Sequence, residues 1–562
     1  MMNHNDEIYQ ELRENFIVIG LTGALGSGCT KSAEILSSAI NIESLLPLRE
    51  HQREFDALEP YRLNKIQNFL KTHQWKEFYH LKVSNLLFCI FFNHEDKYLD
   101  EEYQVKKWFK GNAEVYRATH QLCQKICAAI LTPNGQESGQ LSELLKQLNG
   151  CIQQHVVKTQ SPYTQVFQKI GSELREQGLQ AFINSTLLYQ KKIASVFAIA
   201  DFIKQTIKHL RKEGYKFFVL DALRNLYEIN YFKARYSNFY LFSINASKTE
   251  RKNRILSQFG HKLHDYELIE KNETNKDENH SQNINECIGN GDVFITNNLD
   301  IKDLQYQLVK YVCLIRRPGL FTPSKDERSM QIALTARYNS GCISRQVGAC
   351  VVGKDGYVLG IGWNDVPEGS IPCLYRSSHS LLMDHKGSPE FSEYETSGRF
   401  KHHVAATIGV NHQPFCFKDL ENRRNGQEKL AAVMAKNQDE NLSPELQEAL
   451  LKEFKNTTRE RALHAEENAF LQSSKVGGGS LKHSILYTTA SPCQLCAKKA
   501  MQLGVSRIVY IDAYPDISNA QTLQSGEKDK YPKLDMFVGV AESAFMKLYK
   551  PLINIKDEFY NV

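Results

Sequence analysis

FIVIGLTGALGSGCTKSAEILSSAI, residues 16–40, decides the fold of the first half of the chain. Residues 16–23 are a β-branched and aromatic run that ends in glycine, and the residues after Thr30 return to helical spacing. This order of strand, glycine-rich loop and helix is typical of a phosphate-binding loop, whose backbone amides face the phosphates. The stretch therefore predicts an α/β domain built on a parallel sheet.

The loop departs from the phosphate-binding pattern at Cys29, which stands where a lysine is expected. The lysine neutralises the β and γ phosphates, and Lys31 cannot replace it because two helical positions correspond to about 200° of rotation. A thiol at a helix N-terminus also tends toward the thiolate, which repels phosphate. We expect nucleotide binding without fast phosphoryl transfer. The candidate nucleotide-binding residues are Gly23, Gly26, Ser27, Gly28, Cys29, Thr30 and, as an acid after a later strand, Asp221.

The rest of the first domain extends this pattern over residues 1–315. Residues 45–210 are rich in Leu, Gln, Lys and Glu, which predicts a large helical insertion. Three later apolar runs predict further buried parallel strands, at KFFVLD (216–221), FYLFSINA (239–246) and DVFITNN (292–298).

Prolines and a glycine in residues 316–327 predict a linker, after which residues 328–562 form a second domain. Residues 348–364 predict a strand pair with a turn at 354–356. The chain has 562 residues, 42% of them hydrophobic and 24% charged, and a net charge of +5, which indicates a soluble protein and points to no nucleic-acid or membrane partner. The polar N-terminus lacks a secretory signal, and no apolar run approaches a membrane span, so we expect a cytoplasmic location.

Two motifs in the second domain carry chemistry, LHAEENA at 463–469 and SPCQLC at 491–496. His464, Cys493 and Cys496 supply one imidazole and two thiolates, which suit tetrahedral Zn²⁺ with a fourth position left for water. An H-x-E motif followed by P-C-x-x-C is the signature of zinc nucleobase deaminases. Zinc lowers the pKa of bound water toward about 7, which provides a nucleophile for C4 of cytosine.

Glu466 lies two residues beyond the histidine and is the candidate general acid and base. Both motifs are expected at helix starts, with Pro492 at a first helical position and Gly504 ending the second helix. The alternative for the two cysteines is a structural zinc knuckle or a redox pair, but a closed structural site needs a fourth protein ligand.

These motifs resemble the deoxycytidylate deaminase family, together with SRQVGACVV (344–352), GIGWNDVPEG (360–369) and the run from 491 to 510. The resemblance implies a cytidine-deaminase-like α/β/α sandwich and a sugar contact from Asn364. Substrate phosphate requires basic side chains near that loop, and Arg345 and Arg376 are the nearest candidates, with solvated surface charges as the alternative.

Phage members of this family carry a second, structural zinc, and the matching cysteines here are Cys342 and Cys373. Cys416 and several histidines between 370 and 460 are possible further ligands. The alternative is that these are ordinary buried thiols.

The first domain resembles the P-loop kinases of nucleosides and nucleoside monophosphates, which implies an NTP with Mg²⁺ at the loop. Arg251 and Arg254 resemble the lid of these kinases, with a solvated helix face as the alternative. Joined to a deoxycytidylate deaminase, such a domain resembles the bacterial anti-phage dCTP deaminases over nearly the whole chain.

That resemblance implies deamination of free dCTP and dCMP, depletion of dCTP during phage infection, a homo-oligomer, and regulation that in some members uses a small RNA. The competing hypotheses are a bifunctional kinase and deaminase of nucleotide salvage, a polynucleotide cytosine deaminase and a binding module without activity.

Overall fold

The structure is a computed structural model and describes residues 4–45, 56–93, 108–109, 112–131, 140–156, 162–179, 194–258, 273, 282–298, 300–383, 389–437, 443–454, 460–477, 479–512, 519–554 and 556. The chain divides into two compact units. The first unit is Met1–Glu327 with Val538–Val562, and the second unit is Arg328–Phe537. Within the described residues, no helix combines the length and the apolar composition that a bilayer crossing requires.

Strands and helices alternate along both units. In chain order the strands are β1 (Ile17–Thr22), β2 (Tyr79–Lys82), β3 (Phe217–Asp221), β4 (Phe239–Asn245), β5 (Val293–Thr296), β6 (Gly348–Val352), β7 (Val358–Trp363), β8 (Ile485–Ala490), β9 (Arg507–Asp512), β10 (Lys533–Met536) and β11 (Gly539–Val540). The helices are α1 (His4–Tyr9), α2 (Cys29–Leu36), α3 (Glu59–Thr72), α4 (Val83–Phe91), α5 (Ala113–Leu131), α6 (Leu141–His155), α7 (Pro162–Gln177), α8 (Ala198–Lys212), α9 (Leu226–Arg235), α10 (Lys248–Gln258), α11 (Ile284–Gly289), α12 (Ile301–Arg316), α13 (Lys325–Arg337), α14 (Ser378–Met383), α15 (Glu393–Thr396), α16 (Gly398–Ile408), α17 (Phe417–Asn437), α18 (Pro444–Glu453), α19 (Ala465–Lys475), α20 (Gln494–Gln502) and α21 (Glu542–Tyr549).

The first unit is built on a six-stranded sheet in the order β11-β5-β4-β1-β3-β2. The four strands predicted from the sequence, β1, β3, β4 and β5, pair in parallel, which confirms that prediction. Alternate residues of β1 enter the cores on the two faces: Val18 packs in one cluster, and Ile17 and Ile19 pack in the other. Burial on both faces explains why these strands are apolar throughout.

The predicted insertion is mainly helical where it is described, and parts of residues 45–210 lie outside the described residues. It also contains β2, which pairs in parallel with β3 and which the sequence analysis missed. Only Leu81 of this edge strand is fully buried, so its four residues carry no continuous apolar signal.

The end of the chain corrects the predicted second domain of residues 328–562. Residues from Val538 onward belong to the first unit, because β11 pairs antiparallel with β5 and the Val540 amide donates to Oε1 of Glu327 at 2.9 Å. Ala544 and Leu548 of α21 are buried in the same core as α12. A two-residue strand has no periodicity, so the sequence did not reveal this return.

The second unit contains a five-stranded sheet in the order β10-β9-β8-β6-β7. β6 pairs antiparallel with β7 and β8, and the pairs β8–β9 and β9–β10 are parallel. The predicted hairpin of β6 and β7 is confirmed, with Gly356 at φ 86° in its turn.

Helices lie on both faces of this sheet, and two glycines show how closely they pack. A Cβ on Gly348 would lie 2.0 Å from the Ala333 carbonyl oxygen of α13, and a Cβ on Gly362 would lie 2.2 Å from the Ala465 carbonyl oxygen of α19. Gly362 pairs with the residue after Gly348, so the two glycines face opposite sides of the sheet. The unit is therefore layered as helix, sheet and helix, and α19 lies directly on β7.

Candidate active site

The two motifs of the second unit meet at the starts of α19 and α20. His464 immediately precedes α19 and Cys493 immediately precedes α20, both in extended backbone conformation. Pro492 was predicted at a first helical position, but the helix begins two residues later, at Gln494. The second helix ends at Gln502, before Gly504 at φ 74°.

His464, Cys493 and Cys496 bring their donor atoms within 4.8 Å of one another. Nδ1 of His464 lies 3.3 Å from Sγ of Cys493 and 3.4 Å from Sγ of Cys496. Tetrahedral zinc, with Zn–S of about 2.3 Å and Zn–N of about 2.0–2.1 Å, separates nitrogen and sulfur donors by roughly 3.6 Å. The donor set therefore fits zinc. No other group of three or more His, Cys, Asp or Glu side chains reaches this proximity within the described residues.

The side chains of the candidate metal site are electrostatically coupled. Hydrogen bonding with Cys496 and with His464 lowers the pKa of Cys493 to about 4, so this sulfur is a thiolate at neutral pH. The thiolate is the form that binds metal. Hydrogen bonding with Cys493 and with Glu460 raises the pKa of His464 to about 10.

The far side of the His464 ring is held by a pair of charged residues. Nε2 of His464 lies 3.2 Å from Oε2 of Glu460, and Lys418 donates from Nζ to the other oxygen of Glu460 at 3.1 Å. A carboxylate on the second ring nitrogen fixes the orientation of a ligating histidine. The sequence analysis missed both residues, although Glu460 lies only four positions before His464.

Glu466 lies in the first turn of α19 and is 4% exposed. The Thr488 hydroxyl of β8 lies 3.3 Å from Oε1 of Glu466. Burial raises the pKa of Glu466, which favours its role as a proton acceptor near neutral pH. This buried carboxylate, two residues from the candidate ligand His464, therefore combines position and basicity.

Asn364 lies beside this site, because Asp365 forms a β-bridge with Leu463. Its side chain is engaged within the protein: Oδ1 accepts from the Val347 amide at 2.7 Å, and Nδ2 donates to the Arg345 carbonyl at 2.7 Å. A sugar contact would therefore use the remaining N–H of this amide. The role of Asn364 in binding substrate stays a prediction.

The two arginine candidates for substrate phosphate differ sharply. Arg345 is 39% exposed and pairs with Asp512, so it remains a candidate that would have to exchange partners. Arg376 is 1% exposed, pairs with Glu395 and lies over the rings of Phe391 and Phe415. Arg376 is therefore not a solvated surface charge, so that interpretation was wrong, and its role in binding phosphate stays a prediction.

Cys342, Cys373 and Cys416 line one small cavity together with Lys418 and Glu460. All three thiols are half-buried, and the interpretation of them as ordinary thiols stays open. They do not converge as closely as the His464 group, and a second zinc at Cys342 and Cys373 stays a prediction.

In the first unit, residues 23–28 form a loop between β1 and α2. Gly26 and Gly28 have φ of 80° and 104°, and Gly23 has no room for a side chain, because its Cβ would lie 2.4 Å from the Ile244 carbonyl oxygen. Thr30 in the first turn of α2 is exposed, and Ser27 Oγ lies 3.6 Å from Sγ of Cys29.

Cys29 contradicts one step of the sequence analysis, which expected a thiolate at the helix N-terminus. The side chain is buried, and burial raises the pKa of Cys29 to about 11, with the charge of Asp221 raising it further. The thiol is neutral because desolvation outweighs the helix dipole. Lys31 pairs with Glu34 at 3.3 Å, so it supplies no cation to the loop.

Arg251 and Arg254 of α10 donate to carbonyl oxygens of this loop, at Leu25 and Gly26. The two side chains are therefore not a solvated helix face. To bind a ligand as a lid, each would have to break its contact with the loop.

Residues 323–512, which contain the three metal donors and Glu466, match the family described as the cytidine and deoxycytidylate deaminase zinc-binding region. This part of the chain is a deoxycytidylate deaminase family domain. The deoxycytidylate deaminases of enterobacteria phages T2 and T4 are 28% and 27% identical over 198 residues, which are 33% of this chain and 78% and 76% of those proteins. The deoxycytidylate deaminase of Schizosaccharomyces pombe is 25% identical over 234 residues, 42% of this chain and 51% of that protein.

Among solved structures, the apo dCMP deaminase of the cyanophage S-TIM5 is 20% identical and matches 38% of this chain and 96% of its own, with a TM-score of 0.20. At that TM-score, the structural likeness adds nothing on fold or function.

Proposed function

We propose that the second unit is a zinc-dependent hydrolase that converts dCTP, and also dCMP, to the deoxyuridine nucleotide and ammonia. The convergence of His464, Cys493 and Cys496 beside the buried Glu466 carries this proposal. The homologous dCMP deaminases support a deoxycytidine nucleotide as substrate. The resemblance of the whole chain to anti-phage dCTP deaminases supports the triphosphate and a role in defence.

His464, Cys493 and Cys496 would hold the zinc. When bound, zinc lowers the pKa of a water toward about 7 and so supplies a nucleophile at neutral pH. The Lys418–Glu460 pair fixes the His464 ring so that Nδ1 faces the two sulfurs. Among the described residues no fourth side chain joins these three donors, so a bound zinc would have room for a water.

Glu466 moves the protons of the reaction. It accepts a proton from the attacking water and delivers it to N3 of cytosine, and a second transfer protonates the amino group that leaves C4 as ammonia. The reaction consumes one water and converts the cytosine ring to uracil. The Thr488 hydroxyl lies 3.3 Å from Oε1 of Glu466 and donates to the Ala490 carbonyl oxygen at 2.8 Å, so it links the carboxylate to the end of β8.

The first unit has the proposed role of a nucleotide-binding regulatory domain that takes an NTP with Mg²⁺ at residues 23–30. The neutral, buried Cys29 removes the charge that phosphoryl transfer requires. This disfavours the bifunctional kinase as the alternative. Assembly into a homo-oligomer and control by a small RNA rest on the family resemblance alone.

The purified protein tests these alternatives in one assay with dCMP, dCTP and a single-stranded cytosine oligomer, measuring ammonia and uracil products. We expect turnover of the free nucleotides and none of the oligomer. Turnover of the oligomer alone would establish the polynucleotide deaminase instead. Transfer of the ATP γ-phosphate to dCMP in a parallel assay would establish the bifunctional enzyme.

A further inference from the structure

A buried carboxylate contacts the glycine-rich loop of the first unit. The Leu25 backbone N–H donates to Oε2 of Glu273 at 3.0 Å, and Arg224 donates from Nη1 to Oε1 of the same carboxylate. Glu273 is 1% exposed. Bridging a loop amide and a guanidinium is what the oxygens of a bound phosphate do at such a loop.

Arg224 is a cation close to the position where the lysine is missing. The charges of Asp221 and Arg224 both act on the Cys29 thiol, which places the guanidinium near that side chain. The Arg224 side chain is 21% exposed and forms an ion pair with the Glu273 carboxylate. The cation that a phosphate would need is therefore present, and an internal anion occupies it.

Polar groups with no partner lie at the same edge of the sheet. Thr22, Asp221 and Asn245 end the neighbouring strands β1, β3 and β4 and are 0%, 7% and 4% exposed. Within the described residues, Oγ1 of Thr22, Oδ1 of Asp221 and Nδ2 of Asn245 have no hydrogen-bond partner. Leaving a buried polar group without a partner is energetically unfavourable, so these groups indicate a site for a polar ligand.

We propose that Glu273 occupies the phosphate position of the loop as an internal anion, and that a phosphate-bearing nucleotide binds by displacing it and pairing with Arg224. This proposal rests on the nucleotide-binding role given to the first unit above. The Glu273 carboxylate and the phosphate compete for one amide and one guanidinium. The loop therefore binds either Glu273 or the nucleotide. Nucleotide binding in the first unit is thereby coupled to release of Glu273.

Equilibrium titration of the full-length protein with a fluorescent (mant) ATP and Mg²⁺ tests this competition. We expect Glu273→Gln to lower the Kd at least about tenfold, because a ligand gains affinity by the factor by which the binding-competent state is enriched. We expect Arg224→Gln to raise the Kd by a similar factor. The matched control is Glu34→Gln, which removes an exposed acid of α2 that is paired with Lys31 and leaves the Kd within about twofold.

Inorganic pyrophosphate and adenosine, added as competitors, identify the recognised group. Displacement by pyrophosphate is expected, whereas displacement by adenosine alone would overturn a phosphate site. A circular dichroism melt shows whether Glu273→Gln folds. If it does not fold, Glu273→Asp replaces it, because aspartate retains the charge but has a shorter side chain. The Glu273→Asp protein must then also bind mant-ATP more tightly than wild type.

Equal Kd values for wild type and the folded Glu273 variant would overturn the competition while leaving nucleotide binding intact. Absence of binding in every form would reject both the competition and the nucleotide-binding role. Deaminase turnover of the same preparations reports separately on the second unit, so that failure there is not confused with failure here.

Discussion

The glycine-rich loop of the first unit and the metal site of the second both rest on residues at the start of a helix, yet they differ in completeness. At the metal site, His464, Cys493 and Cys496 converge and a buried acid adjoins them. At the loop, Gly26 and Gly28 have positive φ, but a neutral thiol stands where the predicted pattern expects a lysine, and a carboxylate accepts from the amide of Leu25.

This difference separates backbone geometry from chemistry. Positive φ at Gly26 and Gly28 is compatible with the predicted phosphate-binding loop, but backbone shape alone supplies no charge for phosphoryl transfer. The candidate metal site has both the donor atoms and the buried carboxylate that we propose carries protons. We therefore expect substitutions at the metal site to abolish chemistry and substitutions at the loop to change binding.

The largest effect is expected from Cys493→Ser. Loss of one thiolate from a set of three ligands, one imidazole and two thiolates, leaves too few ligands for tight zinc binding. We therefore expect the loss of one zinc per chain and a fall of deamination to background. Metal analysis and ammonia release measure these quantities. Cys350→Ala, which removes a buried thiol of β6 outside the metal group, is the matched control and keeps both. A Cys493→Ser protein with full zinc content and turnover would exclude this cysteine as a ligand.

Glu466→Gln should reduce turnover by about 10²–10⁴-fold, because it removes the proton carrier but keeps the shape of the side chain. Zinc content and melting temperature should stay at the wild-type values. Glu467→Gln, on the same helix, removes an ion pair with Lys499 and should change turnover less than tenfold. Persistence of turnover in Glu466→Gln would show that another group transfers the protons.

A smaller effect is expected from Gly362→Ala, which tests how the sheet positions α19. The added Cβ would lie 2.2 Å from the Ala465 carbonyl oxygen and 2.4 Å from the Ala469 amide nitrogen. Such overpacking costs about 1–3 kcal/mol and forces the helix that carries Glu466 away from β7. Urea unfolding and turnover measure the two consequences. Gly398→Ala, whose Cβ would meet no atom within 4 Å, should change neither.

The sequence predicted the metal group because each motif is short and begins a helix, so local spacing fixes the donor directions. It also predicted the strands that are buried on both faces, since their apolar runs are continuous. The sequence did not reveal Glu460 and Lys418, because residues that orient a histidine side chain follow no fixed sequence pattern.

Other features depend on contacts between distant parts of the chain. Glu273 meets the loop across 248 positions, and β11 returns to β5 from the other end of the chain. Cys29 was misjudged because its pKa depends on burial, which the tertiary structure determines. Arg376 was misjudged for the same reason.

The smallest effect concerns a buried charged cluster in the first unit. Glu59 is buried and bonded to Arg62, Tyr306 and Lys310. Burial alone would raise the pKa of Glu59, but Lys310 and Arg62 lower it. Its contribution to stability is therefore present above the unfolded-state pKa of about 4.3 and is lost as the pH falls through the lower folded-state value.

The free energy of unfolding should thus fall below about pH 4.3, by at most about 1.4 kcal/mol per pH unit for this carboxyl. Urea titrations followed by tryptophan fluorescence in a Trp363→Phe background measure the unfolding free energy of the first unit. The other two of the three tryptophans, Trp75 and Trp108, lie in that unit. Replacing Glu59 with Gln and Lys310 with Met together should flatten this dependence of stability on pH. The remaining slope includes the contribution of Glu14, because burial raises the pKa of Glu14 but the charge and hydrogen bond of Arg316 lower it, and the net shift of this pKa is downward. An unchanged slope would show that the Glu59 cluster does not stabilise the unit through its charge.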